Sequence, residues 1–207
     1  MYKNPQFEEK DRNKILAFME AHTFVTLIGY DDDYPVATQI PVKIEHREEQ
    51  IYLIGHVMKK TDHYQAYAKN ENVLALFTGA HSYISASVYQ DPAVASTWNY
   101  SSVQAKGKIR LLNDAETREV IKELTNRYEN PDTSKAAFHH MSEEYIEKNL
   151  KAICGFEILI ENIASVFKLS QNHPAINRTA IIDHLANSKD ANDQQVANDM
   201  EKVTKIN

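Results

Sequence analysis

Residues 35–56 read PVATQIPVKIEHREEQIYLIGH, and this stretch decides the fold class. Val36, Thr38, Ile40, Val42 and Ile44 point one way while Gln39, Lys43 and Glu45 point the other. That period of two marks an antiparallel strand, expected over 35–46, with one face in a core. The charged run 47–49 turns the chain, and QIYLIGH (50–56) returns as the second arm of a hairpin.

Upstream, TFVTLIG (23–29) reads as a strand between an acidic turn at 31–33 and a short helix at 11–21. In that helix Ile15, Leu16, Phe18 and Met19 form the apolar side. Downstream, a polar break at 58–63 leads into a short helix with Tyr64, Tyr67 and Ala68 on one face. VLALFTG (73–79) and YISASVY (83–89) read as two further strands. A long strand over 98–112 places Val103, Ala105, Gly107, Ile109 and Leu111 inward and Gln104, Lys106, Lys108 and Arg110 outward.

Asp114 is the expected N-cap of a helix reaching Tyr128, with Val120, Ile121 and Leu124 inward. After the break Asn130-Pro131-Asp132, a helix capped by Ser142 is expected to bury Tyr145, Ile146, Asn149, Leu150 and Ile153. The run 156–169 returns to strand, with a change of phase near Asn162 that a β-bulge would explain. A last helix spans 175–186. Six to seven strands clustered early, with four or five helices, predict an α+β domain over 1–186 built on an antiparallel barrel with flanking helices. The tail 187–207 has only Val196, Met200, Val203 and Ile206 to bury, which predicts a marginal amphipathic helix or a mobile segment.

With 207 residues, 43% of them hydrophobic, the chain is long enough for a self-sufficient core. No run approaches the roughly 20 apolar residues of a membrane helix, and the N-terminus lacks an apolar signal core. The single cysteine, Cys154, makes no internal disulfide. These features predict a soluble, cytoplasmic protein. Its 23 basic and 29 acidic residues, net −6, lower the expectation of DNA as a direct partner.

Enzymatic signatures are sparse. The nine histidines show no metal-ligand spacing, the five glycines form no phosphate loop, and no GxSxG stands in the chain. Two stretches stand out from plain core. GHVMKKTDH (55–63) gathers imidazole, ammonium and hydroxyl groups before a helix, which suits a phosphate or an ordinary polar connection equally. Thr97-Trp98-Asn99-Tyr100 carries the only tryptophan, either an interface anchor or a surface for a flat ring.

Several stretches together resemble the PaiB-type family, FMN-binding negative transcriptional regulators of the FMN-binding split-barrel superfamily. They are PVATQIPV (35–42), YLIGH (52–56), FTGAHSYISASVY (77–89), TWNYSSVQAKGKIRLL (97–112) and GFEILIENIASVFKLSQN (155–172), with Met1-Tyr2 and Phe7 ahead of the first helix. The chain departs from the family pattern at 61–64 and at Ala80, Ala86, Val88 and Ser96.

The resemblance implies an antiparallel split β-barrel acting as a homodimer, with FMN as cofactor in a groove between subunits. It implies that the strand 37–41 meets the flavin ring through its backbone and through Thr38 and Gln39. His56, Lys59 and Thr61 would lie near the phosphate. Ser82, Tyr83, Trp98, Asn99 and Tyr100 of the other subunit would close the ring site, with Lys168 and Gln171 nearby. The implied function is negative regulation of transcription, without catalysis. The alternatives are an FMN-dependent oxidoreductase (flavin reductase or oxidase) and a haem-binding split barrel with His81 or His56 as axial ligand.

Overall fold

The computed structural model describes residues 4–204, the last of them by its backbone alone. Met1 and Tyr2 of the family resemblance and Ile206 of the tail lie outside the described residues. The elements run α1 (Arg12–Ala21), β1 (Phe24–Tyr30), β2 (Pro35–Pro41), β3 (Lys43–Arg47), β4 (Gln50–Met58), α2 (Asp62–Lys69), β5 (Asn72–Ile84), β6 (Thr97–Leu111), α3 (Asp114–Tyr128), α4 (Glu143–Leu150), β7 (Ile153–Lys168), α5 (Ala175–Ala186) and α6 (Ala191–Thr204). The strands form one sheet in the order β2-β1-β5-β6-β7-β4-β3. Among its pairs, β1–β2, β1–β5, β3–β4 and β4–β7 are antiparallel. No helix among the described residues is long and apolar enough to cross a membrane.

The chain divides into two compact units, residues 4–22, 78–104 and 164–204 in the first, 23–77 and 105–163 in the second. In the second unit the run 35–46, expected as one strand, is two. Pro41 has no N–H to give a ladder, so β2 ends there, and the N–H of Val42 turns to Thr23 O at 2.8 Å. The expected alternation holds across the break, since Val36, Ile40, Val42 and Ile44 are all buried. β4 passes close beneath that break. A Cβ at Gly55 would lie 3.1 Å from Pro41 O and 2.7 Å from the Phe156 ring, so only glycine allows the approach.

On the helices of this unit several details differ from expectation. Asn113, not Asp114, caps α3: its side chain accepts from Glu116 N at 3.0 Å while Glu116 accepts from Asn113 N at 2.9 Å. Val120 and Leu124 of α3 pack on Ile54 of β4. In α4, Ile146 and Leu150 are buried but Tyr145 is exposed, and in α2 the buried residues are Ala66 and Tyr67 rather than Ala68. α3 ends at Tyr128 as the periodicity predicts, whereas α4 ends at Leu150 and Ile153, expected on its buried face, opens β7.

In the first unit, the expected strand 83–89 is absent. β5 continues to Ile84, and Ser85 then caps a 3-10 turn at Ala86–Val88, its Oγ accepting from Ser87 N at 3.2 Å. Residues 191–204 hold the helical form of the tail, α6. Val196, Ala197 and Met200 pack with Ile84, Tyr89, Leu169, Ile181 and Leu185 in one apolar cluster. α5 spans Ala175–Ala186, the expected bounds.

Candidate functional site

Five of the twelve residues implied as flavin contacts belong to the second unit. Thr38 is half-buried and Gln39 exposed on β2, which ends the sheet order and pairs there with β1. His56 stands on β4 opposite Gly155 of β7. Its Nδ1 is shielded from solvent without a hydrogen-bond partner among the described residues, and burial pushes the imidazole pKa down. An orphaned nitrogen of this kind costs about 1–3 kcal/mol unless a ligand or water supplies the missing bond.

Lys59 and Thr61 already have partners. Lys59 Nζ donates to Leu150 O at the end of α4 (2.9 Å) and to Asp114 (3.2 Å). Thr61 caps α2: its Oγ1 accepts from Tyr64 N at 3.4 Å and donates its proton to Met58 O at 2.7 Å. Lys60, between them, is exposed. At this loop Lys60 is open to solvent, while Lys59 and Thr61 would have to exchange these partners to reach a ligand. The chain's one thiol, Cys154, is buried, and burial raises its pKa, which suits a packing role better than a nucleophile.

The other seven residues belong to the first unit, and strand alternation divides them. Tyr83 of β5 and Trp98 of β6 are exposed and meet edge to face, with centroids 5.7 Å apart; His81 lies 6.0 Å from Trp98. Ser82 and Asn99 have the opposite parity and are buried, 2% and 0% exposed. Their polar groups are engaged inside the unit. Ser82 Oγ donates to Asp193 at 2.6 Å, while Asn99 accepts from Ser170 Oγ at 3.1 Å and donates to Met200 Sδ at 3.4 Å. They hold α6 in place beneath the strands that display Tyr83 and Trp98. Tyr100 is half-buried.

Lys168 Nζ donates to Trp98 O at 2.9 Å and to the Thr97 hydroxyl, and burial lowers its pKa. It fixes the backbone that carries the tryptophan. Gln171 is folded back on its own chain, accepting from Leu169 N at 2.7 Å and donating to Phe167 O. Asp193 and Ser170, which support Ser82 and Asn99, have no signal in local spacing. Asp193 is 111 residues from Ser82, and Ser170 adopts a left-handed backbone (φ 58°) without being glycine.

Residues 1–162 match the family described as "Putative FMN-binding domain". The chain is 30% identical over 205 residues to the Protease synthase and sporulation protein PAI 2 of Bacillus subtilis, covering 99% of both chains. It is 32% identical over 134 residues to the uncharacterized protein AN0679 of Emericella nidulans, covering 57% of this chain and 53% of that one.

Among solved structures, the FAD and haem binding protein of Mycobacterium smegmatis matches with TM-score 0.60 at 18% identity, over 84% of this chain and 78% of that one. The flavocytochrome Anf3 of Azotobacter vinelandii matches with TM-score 0.61 at 11% identity, over 81% and 72%. At these identities the structural likeness speaks for the fold, an antiparallel split β-barrel with flanking helices. The sequence match decides the family: the chain belongs to the FMN-binding domain family and is a PaiB-like protein.

Proposed function

We propose that the protein binds FMN as a homodimer and lowers the transcription of target genes in a flavin-dependent way. The observation that carries this reading is the match over 99% of both chains to the Bacillus subtilis protein, within an FMN-binding family. Three local features support a flavin. The terminal strand β2 has a backbone edge that no described strand occupies, and alternating N–H and C=O groups suit the polar edge of an isoalloxazine. Trp98 and Tyr83 present exposed ring faces for a flat heterocycle or for a second subunit. His56 Nδ1 has no hydrogen-bond partner among the described residues, and a ligand could supply one.

When bound, FMN supplies one- and two-electron redox chemistry, and this chain's residues hold and orient it. In the dimer proposed here, Thr38, Gln39 and His56 come from one subunit and Trp98 and Tyr83 from its partner. Lys59 and Thr61 reach the phosphate by leaving Leu150 O and Met58 O, with Lys60 as the open cation. Regulation through a protein partner fits the net charge of −6 better than direct DNA binding.

The test compares transcript levels with the gene intact, deleted, and replaced by Trp98→Ala, while purified protein is assayed for NADH and NADPH turnover. Derepression in both altered strains with no turnover supports the regulator. Unchanged transcripts with sustained turnover replace it by an FMN-dependent oxidoreductase. Haem is a second reading, favoured by the exposed His81 beside Trp98. A Soret band that His81→Ala removes would establish it.

A further inference from the structure

A cavity of about 540 Å³ lies wholly within the first unit, walled by α1, α6 and the ends of β6 and β7. That volume is within the range of small-molecule sites. Its floor is aromatic. Phe18 stacks on His22, with centroids 4.1 Å apart and planes at 28°, and meets Phe167 at 5.1 Å. The closeness depends on Gly79, where a Cβ would fall 2.9 Å from the Phe18 ring. Ring faces in such an arrangement are matched best by another flat ring.

Two polar groups belong to the walls. Ser101 is 6% exposed and brings a hydroxyl to the lining. His22 Nδ1 lies 2.7 Å from Phe18 O, which can only accept. Nδ1 therefore donates, and Nε2, when it carries no proton, is an acceptor. A hydroxyl and an acceptor nitrogen lining one cavity suit a phenolic O–H.

The rim carries two lysines, each beside a carboxylate: Lys14 with Glu9 at 3.7 Å and Lys202 with Asp199 at 3.0 Å. In both pairs the lysine is the exposed member, 42% against 18% and 70% against 24%. Asp199 also accepts from Gln195 at 3.0 Å. The carboxylates are held, while the ammonium groups swing on long stems. An incoming anion can recruit both lysines, whereas an incoming cation has to displace them. We propose that this cavity binds a small hydroxylated aromatic carboxylate. Its ring rests on Phe18 and Phe167, its hydroxyl meets Ser101 and His22, and its carboxylate lies between Lys14 and Lys202.

The test is calorimetric titration of the full chain with para-hydroxybenzoate, with and without saturating FMN. Wild type binds saturably, one per chain, with the same affinity in both conditions. Ala21 is exposed on α1 and lines the cavity, so Ala21→Trp fills the space without entering the core and abolishes binding. The double variant Lys14→Ala, Lys202→Ala weakens binding about tenfold at low salt, and para-hydroxybenzylamine binds about tenfold more weakly than the acid. Circular dichroism melts establish that both variants are folded. The proposal is overturned by absence of saturable binding to wild type, by undiminished binding to folded Ala21→Trp, or by equal binding of the amine. Displacement by FMN also overturns it, because the cavity would then be part of the flavin site.

Discussion

Thr117 of α3 is wholly buried, and its hydroxyl accepts the N–H of Gly155 at 2.9 Å. Thr117→Val keeps the shape and removes the acceptor, so it should cost about 1–3 kcal/mol, read as a lower denaturation midpoint at unchanged slope, with Thr117→Ser restoring most of it. Gly107→Ala is harsher. Its Cβ would meet Leu159 O at 2.2 Å and Ile158 Cγ2 at 2.9 Å; backbone cannot yield as a flexible side chain does, and a loss of about 3 kcal/mol or more is expected in the same assay.

Asp193 links residue chemistry to pH. The hydroxyls of Ser188 and Ser82 hold its carboxyl below the ordinary value of 3.8. A carboxylate favoured by the fold adds its full stability above that value and loses it as pH falls from there through the lowered one. The stability gap between wild type and Asp193→Ala should therefore be widest at neutral pH and narrow below 3.8 in acid titrations of unfolding.

At this scale the sequence is legible where parity is continued. Extending the inward set Val103, Ala105, Gly107 back by twos puts Ser101 and Asn99 inside and Trp98 outside, which is their observed placement. Asn113 is legible too, from Glu116 three residues on.

Among the elements, α6 depends most on distant contacts. Met200, 0% exposed, packs in the cluster formed with α5 and the end of β5, so Met200→Ala should cost about 2–5 kcal/mol. Removing 187–207 would uncover Ile84, Tyr89 and Leu169. The shortened chain is expected to bind an apolar dye strongly and to lose soluble yield. A shortened chain with wild-type dye binding and melting would contradict this account of the helix.

Val196, Met200 and Val203 at helical spacing make α6 readable as a helix, but nothing local names its partners. The division of 35–46 had a local signal in Pro41. The loss of a strand at 83–89 had a weaker one, since Ser85 and Ser87 compete for backbone groups that a ladder would use. The long strand β6 was readable because its apolar period runs unbroken.

For the whole molecule, family membership was legible because five separated stretches agree in order, while the candidate site was legible only in part. Trp98 and Tyr83 are open to a ligand or a second subunit, but Lys59, Thr61, Ser82, Asn99 and Gln171 have internal partners set by contacts that local sequence does not encode. Lys59→Ala is therefore expected to lower both FMN affinity and thermal stability, because it also frees Leu150 O. Lys60→Ala should lower affinity alone.

FMN binding is the central claim, and equilibrium dialysis of FMN against the purified full chain tests it most directly. Saturable uptake of one FMN per chain, weakened in Trp98→Ala, is the predicted result. Absence of saturable uptake by the folded protein would contradict it.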